Sequence, residues 1–226
     1  MLGTQDCFFC GAASDAPLCR GCREALPRLP AARCPSCALP SPDSLVCGRC
    51  LANEPRYDST AAALAYAYPL DGAIQAFKYR RALGLTRSFA DLMEMALENT
   101  APVDLIIAAP LTSQRLAERG YNQAHELACV LARRRHVTVE PGALIRVKQG
   151  PHQAELPWKE RAKNIRGAFA ATRRFDGLAI AVVDDVMTTG STLDEIAKVL
   201  KAAGAARVGN WVLARTLPAV MQAPKD

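Results

Sequence analysis

The residues best suited to chemistry lie between Leu178 and Thr192. The apolar run Leu178 to Val183 delivers two adjacent carboxylates, Asp184 and Asp185. Val186, Met187, Thr188, Thr189, Gly190, Ser191 and Thr192 follow, and a helical pattern opens at Ser191. A helix start offers unpaired backbone N–H groups and the positive end of the helix dipole, so it receives anions. The hydroxyls of Thr188, Thr189, Ser191 and Thr192 add donors, and Gly190 lets the backbone come close. One phosphate group fits such a loop. The carboxylates would repel a phosphate that they faced. They suit sugar hydroxyls, which donate to them, and Mg²⁺ on the ligand relieves their charge. Phosphate at one end and a diol at the other is the outline of a ribose 5-phosphate. The plainer alternative is a helix N-cap with acidic residues in the preceding turn.

A second group is made of sulfur. Eight of the nine Cys precede residue 51, as the pairs Cys7/Cys10, Cys19/Cys22, Cys34/Cys37 and Cys47/Cys50. Each Cys-x-x-Cys places two thiolates on one tight turn, as a tetrahedral zinc ion requires. Four pairs make two closed, structural sites. Pairing the first with the second and the third with the fourth closes the shortest loops and costs least entropy. Interleaved pairing, redox Cys-x-x-Cys units and an iron–sulfur cluster are the alternatives. Cys129 falls within a helical pattern and reads as a small apolar residue.

These groups need elements to hold them. Residues 1–56 sustain no helical or strand period, as expected of a metal-stapled module without its own core. Removal of the metal is expected to unfold it and leave much of the rest standing. Residues 57–220 alternate between the two periods. Strands are expected at Ala61 to Tyr68, Val103 to Ala109, Leu144 to Val147, Leu178 to Val183 and Arg207 to Leu213. Helices are expected at Leu70 to Tyr79, Leu85 to Glu98, Asn122 to Arg134, Trp158 to Arg166 and Ser191 to Ala203. This order predicts an α/β domain with a largely parallel sheet covered by helices, and ligands bind beyond the carboxyl ends of such strands.

The 226 residues are 50% hydrophobic and 22% charged, enough to bury a core, which excludes global disorder. No apolar run reaches the roughly 20 residues of a transmembrane helix. The start, Met-Leu-Gly-Thr-Gln-Asp-Cys, is not a secretory signal, so a cytoplasmic location without membrane insertion is expected. The net charge is +6, and it is concentrated: Pro110 to Arg174 holds 13 Lys and Arg against 5 Asp and Glu. That favours an anionic ligand at this segment over a uniformly basic surface.

Val182 to Thr192 resembles the phosphoribosyl pyrophosphate (PRPP) motif of type I phosphoribosyltransferases. The whole chain resembles the ComF family, associated with natural competence and DNA uptake. The four Cys-x-x-Cys pairs carry the likeness, with Phe77-Lys78-Tyr79, Arg115 with Arg119-Gly120-Tyr121-Asn122-Gln123, and Gln153 with Arg161, Asn164 and Phe169. It departs at Thr112-Ser113, where many relatives carry a His, at Tyr121, where Phe is commoner, and at Gly150. The resemblance implies a type I phosphoribosyltransferase-like (Rossmann-like) fold behind a double zinc ribbon, with Mg²⁺-dependent PRPP binding at Asp184, Asp185 and Met187 to Thr192. Ala109 to Ser113 follows a buried strand and is expected to form the pyrophosphate loop through backbone N–H groups, Leu111 and Thr112 among them, with Arg115 and Arg119, four apart on one helical face, as guanidinium forks for the diphosphate; the resemblance adds Lys78 there, and Asp184, Asp185 and Arg119 are expected at the reacting centre. Lys148 to Lys163 would close as a lid. Two alternatives are a PRPP-sensing regulator without turnover, and a competence factor that binds single-stranded DNA or other competence proteins. Arg133, Arg134 and Arg135 would then serve the nucleic acid, although a solvated helix end explains them as well. The phosphoribosyl acceptor and the oligomeric state are open.

Overall fold

The computed structural model describes residues 5–148 and 165–218. Of the helix expected over Trp158–Arg166, only Ile165 and Arg166 fall within that range. Gln153, Arg161, Asn164 and nearly all of the expected lid lie outside the described residues.

The first ribbon carries a two-residue hairpin, β1 (Gln5–Asp6) with β2 (Ala13–Ser14), and a short helix α1 (Arg20–Glu24). The second carries α2 (Gly48–Ala52). The main sheet then begins with β3 (Ser59–Ala65), followed by α3 (Leu70–Tyr79), α4 (Thr86–Leu97) and β4 (Leu105–Ala108). Next come α5 (Ser113–Arg119), α6 (Gln123–Arg135) and β5 (Thr138–Val139). A small antiparallel pair, β6 (Leu144–Arg146) and β7 (Phe169–Ala171), stands apart. β8 (Ala179–Met187), α7 (Ser191–Ala202) and β9 (Arg207–Arg215) complete the chain. The five-stranded sheet has the order β3-β9-β8-β4-β5, and all of its pairs are parallel.

The β8 apolar run is buried on both sides because side chains alternate across a strand. Ile180 and Val182 join one core with Leu193, Ile196 and Leu200 of α7. Ala181 and Val183 join the other, with Ile74 and Phe77 of α3, Phe89 of α4 and Leu127 of α6. The strand does not stop at Val183 as expected; it runs to Met187. β9 continues beside it, with Asp184 opposite Val212 and Met187 opposite Arg215. β4 ends earlier, opposite Val183. The carboxylates therefore sit on a strand whose β4 neighbour has already turned away, and that departure opens a cleft. β5 and β7 are too short to leave a readable period.

The ribbons are built into both cores. Leu18 and Leu26 of the first pack with α3 and α4, while Cys34, Cys37, Leu39 and Cys50 of the second pack with α7. The segment between the ribbons and the start of the second also cover the outer edge of β3: Thr60 N donates to Pro35 O at 3.1 Å and Ala65 N to Pro27 O at 2.9 Å. Arg33 Nη1 donates to Ala62 O at 3.1 Å. Covering a sheet edge satisfies its backbone groups and blocks pairing with other chains. Residues 1–56 therefore share buried surface with both cores of the α/β domain.

Candidate functional site

The cysteines form two groups, Cys7/Cys10/Cys19/Cys22 and Cys34/Cys37/Cys47/Cys50, with the sulfurs of each within 4.8 Å of one another. Pairing is thus sequential along the chain. Tetrahedral coordination at about 2.3 Å sets sulfurs roughly 3.8 Å apart. Cys10 and Cys19 stand at 3.8 Å, and Cys37 and Cys47 at 3.6 Å. Backbone amides support the sulfurs, Cys19 N donating to Cys7 Sγ at 3.3 Å and Cys47 N to Cys34 Sγ at 3.4 Å. Burial opposes ionisation of Cys7, but the amides of Cys19, Cys10 and Phe9 outweigh it and bring the thiol down to about 6. The donor set fits two structural zinc ions, with all four positions of each taken by protein. Cys129 lies outside both groups, half-buried, its Sγ 3.5 Å from His125 Nε2.

A cleft of about 540 Å³ opens where β4 leaves β8. Its lining brings together Asp184, Asp185, Thr188, Thr189, Ser191 and Thr192 with Lys78, Leu111, Arg115 and Arg119. Three expected site residues do not line it. The Thr112 hydroxyl caps α5, accepting from Arg115 N at 3.2 Å. Met187 is buried in the core. Gly190 faces a smaller cavity of about 240 Å³ on the ribbon side of the loop.

Asp185 does not stand free: Lys78 Nζ lies 3.0 Å from its Oδ1. The Lys78 ammonium is thus held against the carboxylate within the cleft. Asp184 accepts from Asp185 N at 2.8 Å. Burial, then the Asp185 charge, push Asp184 up to about 7, against the pull of Lys78. The two carboxylates thus differ: Asp185 is paired, and Asp184 titrates near neutrality.

The Arg-Gly-Tyr-Asn-Gln run is a clasp. Gly120 ends α5 at φ 79°, a conformation open to glycine. The Tyr121 hydroxyl donates to Phe77 O. Asn122 donates to Ala109 O at 3.0 Å and caps α6 through Ala124 N at 3.0 Å. Gln123 donates to Lys78 O at 3.3 Å and accepts from Arg119 at 2.9 Å. The run ties the end of α3, and with it Lys78, to the turn after β4. Arg119 also lies 4.8 Å over the Tyr79 ring. Arg115 and Arg119 share the cleft, as their four-residue spacing predicts.

The sequence reading missed Arg146, at the end of β6, whose guanidinium shares the cleft with Arg115. Among the described residues neither forms an ion pair. Burial and the neighbouring Arg115 charge both lower the Arg146 pKa. Arg49, Tyr57 and Arg215 behind the loop were missed too. The readable signal was a charge at the end of an otherwise apolar strand, Trp211 to Arg215.

Gly190 stands at φ 84°, and a Cβ there would lie 2.7 Å from Met187 Cε and 3.0 Å from Tyr57 Oη. Thr189 Oγ1 meets Ser191 Oγ at 2.9 Å and accepts Ser191 N at 3.1 Å, closing the turn that starts α7.

A parallel sheet with an acidic strand end, a Thr-Thr-Gly-Ser-Thr turn and basic residues across one cleft defines a type I phosphoribosyltransferase-like domain, here fronted by a double zinc ribbon. The double zinc ribbon domain family model matches residues 2–51, and the phosphoribosyl transferase domain model matches residues 112–222. The chain is 35% identical to DNA utilization protein YhgH of Salmonella typhi over 221 residues, covering 93% of this chain and 97% of that one. It is 35% identical to Competence protein F of Haemophilus influenzae over 178 residues, covering 75% and 78%. Among solved structures it is similar to adenine phosphoribosyltransferase from Thermoanaerobacter pseudethanolicus, at 16% identity and a TM-score of 0.37, over 61% of this chain and 84% of that one. The chain belongs to the ComF family. No helix among the described residues is long and apolar enough to cross a membrane.

Proposed function

We propose that this protein binds PRPP with Mg²⁺ and transfers its phosphoribosyl group to an acceptor or to water, the new bond at ribose C1 replacing the C1–O bond to pyrophosphate, which is released, in support of DNA utilization or competence as its relatives' names suggest. One observation carries this reading: a single cleft unites a hydroxyl-rich helix start, two strand-end carboxylates and three guanidiniums. The loop from Thr188 to Thr192 would take the 5-phosphate. Asp184 and Asp185 would accept from the ribose hydroxyls. Arg115, Arg119 and Arg146 would face the diphosphate, where guanidinium forks match phosphate oxygens.

Bond cleavage moves negative charge onto the departing diphosphate and positive charge onto the sugar. Fixed guanidiniums stabilise the first, and the carboxylate at Asp185 favours the second. Lys78, 3.0 Å away, holds the Asp185 carboxylate in place. Mg²⁺, when bound with the ligand, neutralises diphosphate charge and draws electrons from the leaving oxygen.

Single-strand binding through Arg133–Arg135 has less support. Arg134 pairs with Asp91 at 2.5 Å and Arg135 with Glu94 at 2.7 Å, so these residues bind α6 to α4. The test is a pyrophosphate-release screen with Mg-PRPP over nucleobases, nucleotides and single-stranded DNA. Release with any of these, or with water, that is lost in Asp185→Asn supports the proposal. PRPP that neither binds nor turns over would end it.

A further inference from the structure

Three consecutive carbonyls of the anion loop are held from behind. Arg215 Nη1 donates to Met187 O at 2.9 Å and to Thr188 O, and Arg49 Nη2 donates to Thr189 O. In a trans peptide the C=O and the next N–H point in opposite directions. Fixing these carbonyls on the ribbon side therefore turns the amides of Thr188, Thr189 and Gly190 away from it. Three successive amides aimed one way make an anion-binding concavity.

Both guanidiniums belong to the second ribbon's surroundings. Arg215 Nε donates to Cys37 O at 2.8 Å, and Arg49 lies on α2 between Cys47 and Cys50. Arg215 is wholly buried, and among the described residues no carboxylate forms an ion pair with it. A buried charge requires a counter-charge nearby. Four thiolates around one zinc ion would carry a net negative charge, and Cys37, one of the four, lies against Arg215. Tyr57, buried against both the ribbon and Gly190, completes the wall. Leu18 and Leu26 of the first ribbon pack in the other core, on the opposite face of the sheet.

We propose that Arg215 is a positioning residue, assisted by Arg49, that makes the second four-cysteine site and the sugar-phosphate loop one energetic unit. The inference rests on the PRPP reading for its ligand. The Arg215 fork presents the loop amides, and the second ribbon holds the fork. Coupling of this kind is reciprocal: an intact second ribbon strengthens PRPP binding, and bound PRPP retains the second metal.

The test uses the zinc-loaded full chain as wild type, Arg215→Lys, Arg49→Ala and Arg20→Ala, the last an exposed first-ribbon residue. Three quantities are measured: amide exchange of peptides spanning 187–192 without ligand, Mg-PRPP affinity by calorimetry, and zinc release to a chelator with and without Mg-PRPP. Arg215→Lys and Arg49→Ala should speed loop exchange and weaken PRPP by about tenfold each, the loss of one charged hydrogen bond. Arg20→Ala should match wild type. In wild type PRPP should slow release of one of the two metals by about tenfold, the same coupling read from the other side. That slowing should disappear in Arg215→Lys, which a merely structural role would not cause. If Arg215→Lys does not fold, Arg49→Ala decides the matter. Loop exchange and affinity within twofold of wild type, or equal slowing of both metals, would overturn the coupling. Wild-type protein that ignores PRPP while Arg49→Ala still loosens the loop would instead remove the PRPP reading and leave the brace standing.

Discussion

Replacing Asp185 with Asn keeps the shape of the side chain and removes its charge. In the structure Lys78 Nζ sits 3.0 Å from the carboxylate, with the two side chains 22% and 10% exposed. A charged hydrogen bond of this kind contributes about 1.5–3 kcal/mol. Asp184 remains close enough to share the Lys78 charge, so the stability loss should fall near the lower end, about 1–2 kcal/mol. Ligand binding loses more, because a ribose hydroxyl then meets an amide that has lost its charge and its fixed partner. That loss is about 1.5–3 kcal/mol, or roughly 10- to 150-fold in Kd for Mg-PRPP. The pattern across ligands is sharper than the magnitude. Ribose 5-phosphate should weaken alongside PRPP, whereas Mg-pyrophosphate should bind as well or better, since Lys78 is freed and a negative charge is gone. Calorimetric titration with all three ligands, beside thermal unfolding, reads this directly. Undiminished PRPP affinity, or equal losses for pyrophosphate, would place Asp185 at the wrong end of the ligand and refute the assignment.

Asp184 is raised from 3.8 to about 7 by burial and by the Asp185 charge, so it carries a proton on the acid side of neutrality. PRPP affinity should climb with pH and level off above about 7, while Asp184→Asn should flatten the profile in titrations at several pH values. By the same sign, this group makes the fold lose stability as pH rises from 3.8 through about 7, where the unfolded chain ionises more readily. Gly190→Ala forces an L residue to φ 84° against Tyr57. The left-handed conformation alone costs about 1–2 kcal/mol, so melting temperature and PRPP affinity should both drop. Chelation should lower the unfolding temperature of the whole chain, because Leu18, Leu26 and Leu39 each contribute about 1.5–3 kcal/mol of burial to shared cores. A calorimetric trace in which the α/β transition stays unmoved by chelator would contradict that.

Much of the site was legible because its chemistry is local in sequence. Asp184 to Thr192 is one uninterrupted strand–turn–helix, and each Cys-x-x-Cys is its own knuckle. Period-two burial gave β8 its core, yet its true end at Met187 was hidden, because the stop at Val183 was inferred from polarity. Asp184 and Asp185 remain in the strand since β9 still pairs there. What the sequence concealed were contacts across long separations. Arg215 meets Cys37 across 178 positions, and Arg49 meets Thr189 across 140. Lys78 was flagged for an anion, but only the folded chain shows it facing Asp185. The basic run Arg133–Arg135 drew attention as charge, and its partners Asp91 and Glu94 lie on another helix.

Equilibrium titration of the zinc-loaded chain with PRPP, with and without Mg²⁺, bears most directly on the cleft's role. Saturable one-to-one binding that requires Mg²⁺ and is competed by both ribose 5-phosphate and pyrophosphate is the expected outcome. No binding, or binding competed by pyrophosphate alone, would mean that the strand-end carboxylates and the Thr-Thr-Gly-Ser-Thr turn do not hold a phosphorylated sugar.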